Sequence, residues 1–220
     1  MPRALDTDEL PGIIDEFRRA ARNAIDAGMD GVEIHGANGY LLHEFLSPNS
    51  NLRQDAYGGS PEKRYRLIEE IVRATAEEIG ADRVGLRLSP QNNIQGIQEV
   101  DAADVAATYG GLLDATSDLG LAYISFMHSD PAGELMRDLI GRARANGRTR
   151  VILNYGFGQV TERDDAEKLV QQGDAVAVGR LAISNPDLVR RWEEGLPVTA
   201  PDESTFYTGG EKGYTDYGRP

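Results

Sequence analysis

The chain has 220 residues, 23 Lys and Arg against 36 Asp and Glu, a net charge of −13, and 40% hydrophobic residues. That apolar share supports a packed core and excludes a disordered chain, and the length fits one domain. The charge argues against nucleic acid and anionic membrane surfaces, and no apolar run approaches a membrane span.

With no cysteine, disulfides and thiolate metal sites are excluded, which fits a reducing cytoplasm, and the N-terminus lacks a signal peptide's apolar stretch. The basic residues are mostly Arg, with Lys only at Lys63, Lys168 and Lys212. Arg in place of strongly hydrated Lys, with abundant Asp, fits a salt-rich cytoplasm, and a GC-rich genome gives the same bias.

In chain order, a helix is predicted from near Thr7, its apolar stripe running Ile13, Ile14, Phe17, Ala20, Ala21, Ala24 and Ile25, with Gly28 as its stop. Gly31 to Ile34 follows as a strand. Ser60-Pro61 reads as an N-cap and first helical position, opening a helix that ends at Gly80 before strand Val84 to Leu88. A helix from Asp101 to Ser117 precedes strand Ala122 to Met127, and one opened by Asp130-Pro131 precedes strand Val151 to Asn154. A helix capped by Thr161 precedes strand Ala175 to Val178, and Asn185-Pro186 caps a last helix that stops at Gly195. A Gly- and Tyr-rich tail, residues 196–220, ends the chain.

Short strands alternating with helices indicate an α/β fold of parallel βα units, either an open doubly wound sheet or a (β/α)8 barrel. No G-x-G-x-x-G follows a strand, which weakens the dinucleotide-binding option. Polar residues collect just after strand ends, as in His35, Asn38, Arg87, Ser89, Asn154 and Arg180, where barrel enzymes keep their chemistry.

The segment Glu33-Ile34-His35-Gly36-Ala37-Asn38-Gly39-Tyr40-Leu41-Leu42 is the most informative. His35 leaves a strand end, and in a single helical turn Asn38 would point the same way. Two neutral N–H donors on one oxygen polarise a carbonyl, and Tyr40 adds a phenolic O–H suited to general acid catalysis. A polar loop capping the next helix accounts for the same spacing. No metal site is expected, because His35 and His43 lack a third ligand at a suitable spacing.

This segment resembles the active-site signature of the Old Yellow Enzyme family of flavin-dependent ene-reductases. The resemblance continues in order through Asn51 to Ser60, Arg87-Leu88-Ser89-Pro90, Gly179-Arg180, Asn185-Pro186-Asp187-Leu188 and the tail from Phe206 to Tyr217. It implies FMN-mediated, NAD(P)H-dependent reduction of activated C=C bonds in α,β-unsaturated carbonyl compounds. By that resemblance His35 and Asn38 bind the substrate carbonyl oxygen and Tyr40 donates the proton. Arg87 lies beside the flavin ring, while Arg180 and backbone amides near Gly156 and Gly179 hold the FMN phosphate. Tyr207 corresponds to an aromatic residue closing over the substrate, so the tail is expected over the active-site mouth. Arg87 or Arg180 in a plain ion pair, and Tyr207 merely packing, are the competing readings; Asn51 to Ser60 reads as structural.

Two departures stand out: Asn154-Tyr155-Gly156-Phe157 where the family usually has two glycines, and Ser125 where relatives often carry His. A (β/α)8 barrel typically needs about 250 residues. The resemblance aligns this chain with the C-terminal five βα units, strands four to eight, of a partial TIM barrel forming one incomplete domain over residues 1–220. Relatives' positions for a threonine or cysteine and a glutamine at the flavin ring then fall outside it. A partial barrel exposes two sheet edges and an apolar face. Self-association, a separate N-terminal half, a gene start within a longer protein and a non-catalytic remnant all answer that geometry.

Overall fold

The computed structural model describes residues 3–156 and 158–218, so Phe157 and both ends of the 1–220 range from the sequence reading lie outside the described residues. Its sheet has five parallel strands: β1 (Val32–Gly36), β2 (Val84–Leu88), β3 (Tyr123–His128), β4 (Arg150–Tyr155) and β5 (Ala175–Val176). The spatial order follows the chain, β1-β2-β3-β4-β5, and every neighbouring pair is parallel. A doubly wound sheet reverses its order at a switch point. This sheet is singly wound, which right-handed crossovers produce by stacking all helices on one face.

Those helices are α1 (Leu10–Asp26), α3 (Pro61–Ile79), α4 (Ala102–Thr116), α5 (Glu134–Arg144) and α6 (Arg163–Val170), with short α2 (Leu41–Leu46), α7 (Arg180–Ser184) and α8 (Leu188–Glu194) at the loop ends. Each long helix turns one apolar stripe to the sheet. Leu67, Ile68, Ile71 and Val72 of α3 are wholly buried, as are Val84, Leu86 and Leu88 of β2. At roughly 1.5–3 kcal/mol per fully buried aliphatic side chain, this layer is the main favourable term of the fold. Arg64, itself buried, bonds Leu46 O at 2.8 Å, the Asp104 carboxylate at 2.6 Å and Thr108 Oγ1 at 2.8 Å, tying α2, α3 and α4 together.

The opposite sheet face carries His35 and Arg87, register partners, and Asn154. The Tyr123 ring packs over Gly85, where any Cβ would collide with it. Burial and then Glu33 raise the Tyr123 phenol to about 12.

Several boundaries differ from the sequence reading. β1 runs to Gly36, so His35 lies within the strand rather than beyond it. α5 begins at Glu134, because Asp130 to Gly133 closes a turn through Gly133 N–H to Asp130 O. α6 begins at Arg163 with Glu162, not Thr161, at its cap, and β5 shortens to Ala175–Val176, although Ala177 N–H still bonds Leu153 O. Asp101, Gly80 and Gly195 bound their helices as their residue types predict. No helix among the described residues is long and apolar enough to cross a membrane.

Candidate active site

The carboxyl ends of the strands converge on a cleft of about 300 Å³ whose lining includes Asn38, Arg87, Asn154, Gly156, Gly179, Arg180, Phe206 and Tyr207. Six of the eight residues singled out from the sequence therefore share one cavity. His35 and Tyr40 stand beside it: His35 pairs with Arg87 across the strands, and its ring centroid lies 5.3 Å from that of Tyr40. Desolvation, then the Arg87 cation, lowers the His35 pKa. A neutral imidazole donates a hydrogen bond without giving up its proton readily.

The expected helical turn between His35 and Asn38 does not form. Asn38 has φ 60° and Gly39 φ 78°, and Tyr40 N–H bonds Ala37 O at 3.3 Å. Consecutive positive φ values at Asn-Gly are the type I′ signature, a turn this dipeptide adopts at low cost. Its geometry is held from outside. Asn38 N–H donates to Ser89 Oγ at 2.8 Å, Asn38 O accepts from Gln95 at 2.9 Å, and Asn38 Oδ1 accepts from Asn92 at 3.1 Å. With Oδ1 so engaged, the group Asn38 offers a ligand is its amide N–H.

Arg87 reaches Asn154 Oδ1 at 3.4 Å and Met127 Sδ at 3.8 Å, while its Nε is buried with no hydrogen-bond partner. An orphaned guanidinium N–H inside a cleft costs free energy unless an acceptor fills the space. Asn154 donates to Ala177 O at 2.8 Å, bridging β4 to the end of β5. The two glycines differ. A Cβ on Gly156 would press on Ser129 at 3.0 Å, whereas one on Gly179 would meet nothing within 4 Å, so Gly179 leaves open the space beside Arg180. Arg180 bonds Glu203 of the tail at 2.9 Å and stacks 5.8 Å from the Phe206 ring centroid. Tyr207 is 91% exposed while lining the same cleft.

The sequence reading gave Glu203 no role and quoted Phe206 only as part of the tail, since nothing local links either to Arg180. It noted Asn154 at a strand end without placing it in the site, although an inward polar residue on a buried strand is itself a signal. His43 is no partner for His35: its ring nitrogens engage Gly39 N–H and the Tyr109 hydroxyl, both at 3.0 Å.

A parallel sheet with cations and glycines gathered beyond its strand ends is the arrangement in which α/β barrel enzymes place a phosphate site. Residues 1–199 match the NADH:flavin oxidoreductase / NADH oxidase family, and the chain belongs to it. FMN is that family's cofactor. A putative 12-oxophytodienoate reductase 10 of Oryza sativa subsp. japonica is 41% identical over 228 residues, covering 98% of this chain and 70% of the relative. A probable flavin mononucleotide-dependent alkene reductase of Leishmania infantum is 40% identical over 223 residues, covering 99% and 58%. Morphinone reductase, solved in complex with tetrahydroNAD, superposes with TM-score 0.88 at 39% identity over all of this chain and 58% of that one. The Old Yellow Enzyme homologue from Zymomonas mobilis superposes with TM-score 0.85 at 36% identity, covering 98% and 61%. The chain thus spans between 58% and 70% of these four proteins.

Proposed function

We propose that the chain forms five βα units of a (β/α)8 barrel, a single domain over residues 1–220, that reduces activated C=C bonds of α,β-unsaturated carbonyl compounds with FMN and NAD(P)H. The observation that carries this reading is one cleft shared by Arg87, with its unpartnered buried Nε, and by Gly156, Gly179 and Arg180. The fit to FMN is chemical: a ring edge rich in acceptors answers Arg87 Nε, and a phosphate answers the planar fork of Arg180. Open space at Gly179 admits close approach of such a phosphate to the backbone, with amides near Gly156 and Gly179 as further donors.

Bound FMN supplies hydride chemistry between NAD(P)H and the electrophilic alkene carbon. The chain's own residues bind, orient and protonate. His35 and the Asn38 amide donate to the substrate carbonyl oxygen, withdrawing electron density from the conjugated alkene. The neutral state favoured at His35 suits this polarising role. Tyr40, 55% exposed and against the His35 ring, donates the proton that completes the saturated product. The tail, described over residues 196–218, covers the mouth, with Phe206 beneath the Arg180 guanidinium and Tyr207 over the substrate. Reconstitution tests this: the chain with FMN is expected to be yellow, to bleach under NADPH and to regain colour with an enone. A preparation that retains no flavin overturns it.

The sheet favours a second reading of the working unit. Among the described residues the outer edges of β1 and β5 have no strand partner. Further βα units, from a separate half or from a second copy of the chain, would then complete the flavin site. Light scattering showing an oligomer, with flavin retained only in it, supports this version; a flavin-loaded monomer rejects it.

A further inference from the structure

The left-handed turn at Asn38-Gly39 rests on a buried polar chain that the catalytic reading leaves unused. Gly39 N–H donates to His43 Nδ1 at 3.0 Å. His43 Nε2 lies 3.0 Å from the Tyr109 hydroxyl and 3.3 Å from Glu99 Oε1, and that hydroxyl donates to Glu99 Oε1 at 2.9 Å. Glu99 Oε2 accepts from Gln91 N–H at 2.8 Å. His43 and Tyr109 are fully buried, Glu99 is 3% exposed, and Ser89, which receives Asn38 N–H, is also fully buried.

The hydrogens can be assigned without conflict. Nδ1 accepts from Gly39, so the ring proton sits on Nε2 and points at Tyr109 and Glu99. The Tyr109 proton goes to Glu99, whose other oxygen takes a backbone N–H. Each polar atom of this chain is satisfied inside a low-dielectric core, and such a network specifies one geometry and resists distortion. Asn-Gly adopts this turn at low cost, and buried hydrogen-bond partners hold a functional loop in it against other conformations. Here they do so from three sides: His43 on Gly39 N–H, Ser89 on Asn38 N–H, and Gln95 on Asn38 O.

We infer that His43, backed by Tyr109 and Glu99, is a positioning residue. It fixes the turn that aims the Asn38 amide and Tyr40, and so sets the proposed carbonyl clamp without touching substrate. This deepens the proposed function and rests on it for the word substrate; the positioning of the turn stands on its own geometry.

Two measurements on the full chain test it. In the 15N-labelled wild type, the ring shifts of His43 are expected to report the Nε2–H tautomer; an Nδ1–H form overturns the inference, since Gly39 N–H could not then donate. Amide hydrogen exchange is then compared across His43→Phe and His43→Gln. His43→Phe is expected to speed exchange at Gly39 roughly tenfold or more while Ile68 and Ile71 of α3 change little. His43→Gln, whose side-chain oxygen can accept and whose amide can donate, restores most of the protection. Exchange at Gly39 that stays at the wild-type rate, or rises only in step with α3, overturns the inference. If His43→Phe does not fold, the tautomer and the His43→Gln exchange decide it, slow Gly39 exchange supporting and fast exchange contradicting. Protection lost as expected in a chain that reduces no enone upholds the positioning and removes the proposed function instead.

Discussion

His35 and Arg87 sit side by side on adjacent parallel strands, an imidazole and a guanidinium on one sheet face. Desolvation first, and this cation second, depress the His35 pKa. The folded chain therefore binds the His35 proton less readily than the unfolded chain. Stability from this residue rises with pH through the window between the depressed value and the usual imidazole value, and falls on acidification across it. NMR titration should give a midpoint below the usual imidazole value. Arg87→Met should raise it only in part, because desolvation remains. His35→Gln should lose less stability than the wild type between about pH 7 and pH 5; a steeper loss contradicts the assignment.

Arg87 is predicted to serve binding at no benefit to the flavin-free fold. Its Nε is a buried donor without an acceptor, and removing such a donor costs little. Arg87→Met should change the flavin-free stability by less than about 1 kcal/mol in denaturant titrations, yet weaken FMN binding by about 1.5–3 kcal/mol, the worth of a hydrogen bond involving a charged group. Equal losses in both would make Arg87 structural.

The ion pair of Arg180 with Glu203 puts a carboxylate on the guanidinium proposed for the phosphate. Both partners keep solvent contact, so the pair is weak. Glu203→Gln should tighten FMN binding roughly two- to fivefold, with the gain shrinking as salt is raised. Weaker binding would instead make Glu203 part of the holding geometry.

Tyr40→Phe separates proton donation from flavin reduction. A positioned general acid contributes roughly 10²- to 10⁴-fold. Enone reduction should slow by that order in stopped-flow measurements, while flavin reduction by NADPH stays nearly unchanged. Equal slowing of both removes Tyr40 from the acid role.

The parallel α/β character and the strand-end site were legible because hydrophobic runs and Gly, Pro and Asp punctuation act locally. Ser60-Pro61, Gly80 and Asp101 bound helices for reasons contained in those residues. The Asn38 turn was misread because spacing alone favours a helical turn for His35 and Asn38. Asn-Gly carried the opposite signal, and Ser89, Asn92 and Gln95 reinforce it from more than 50 residues away. The contacts of Glu203 and Phe206 with Arg180 escaped for the same reason, since they are set by how the tail folds back. The His43, Tyr109 and Glu99 chain looked like ordinary helix and loop residues until packing joined them.

In the proposed function one cleft holds FMN by ring and phosphate together. Flavin fluorescence titration of the chain with FMN and with riboflavin, repeated in Arg180→Gln, separates the two contributions. FMN is expected to bind far more tightly than riboflavin, and Arg180→Gln to abolish the difference by weakening FMN alone. Equal affinity of the wild type for both flavins, or a preference for FMN that survives Arg180→Gln, would contradict it.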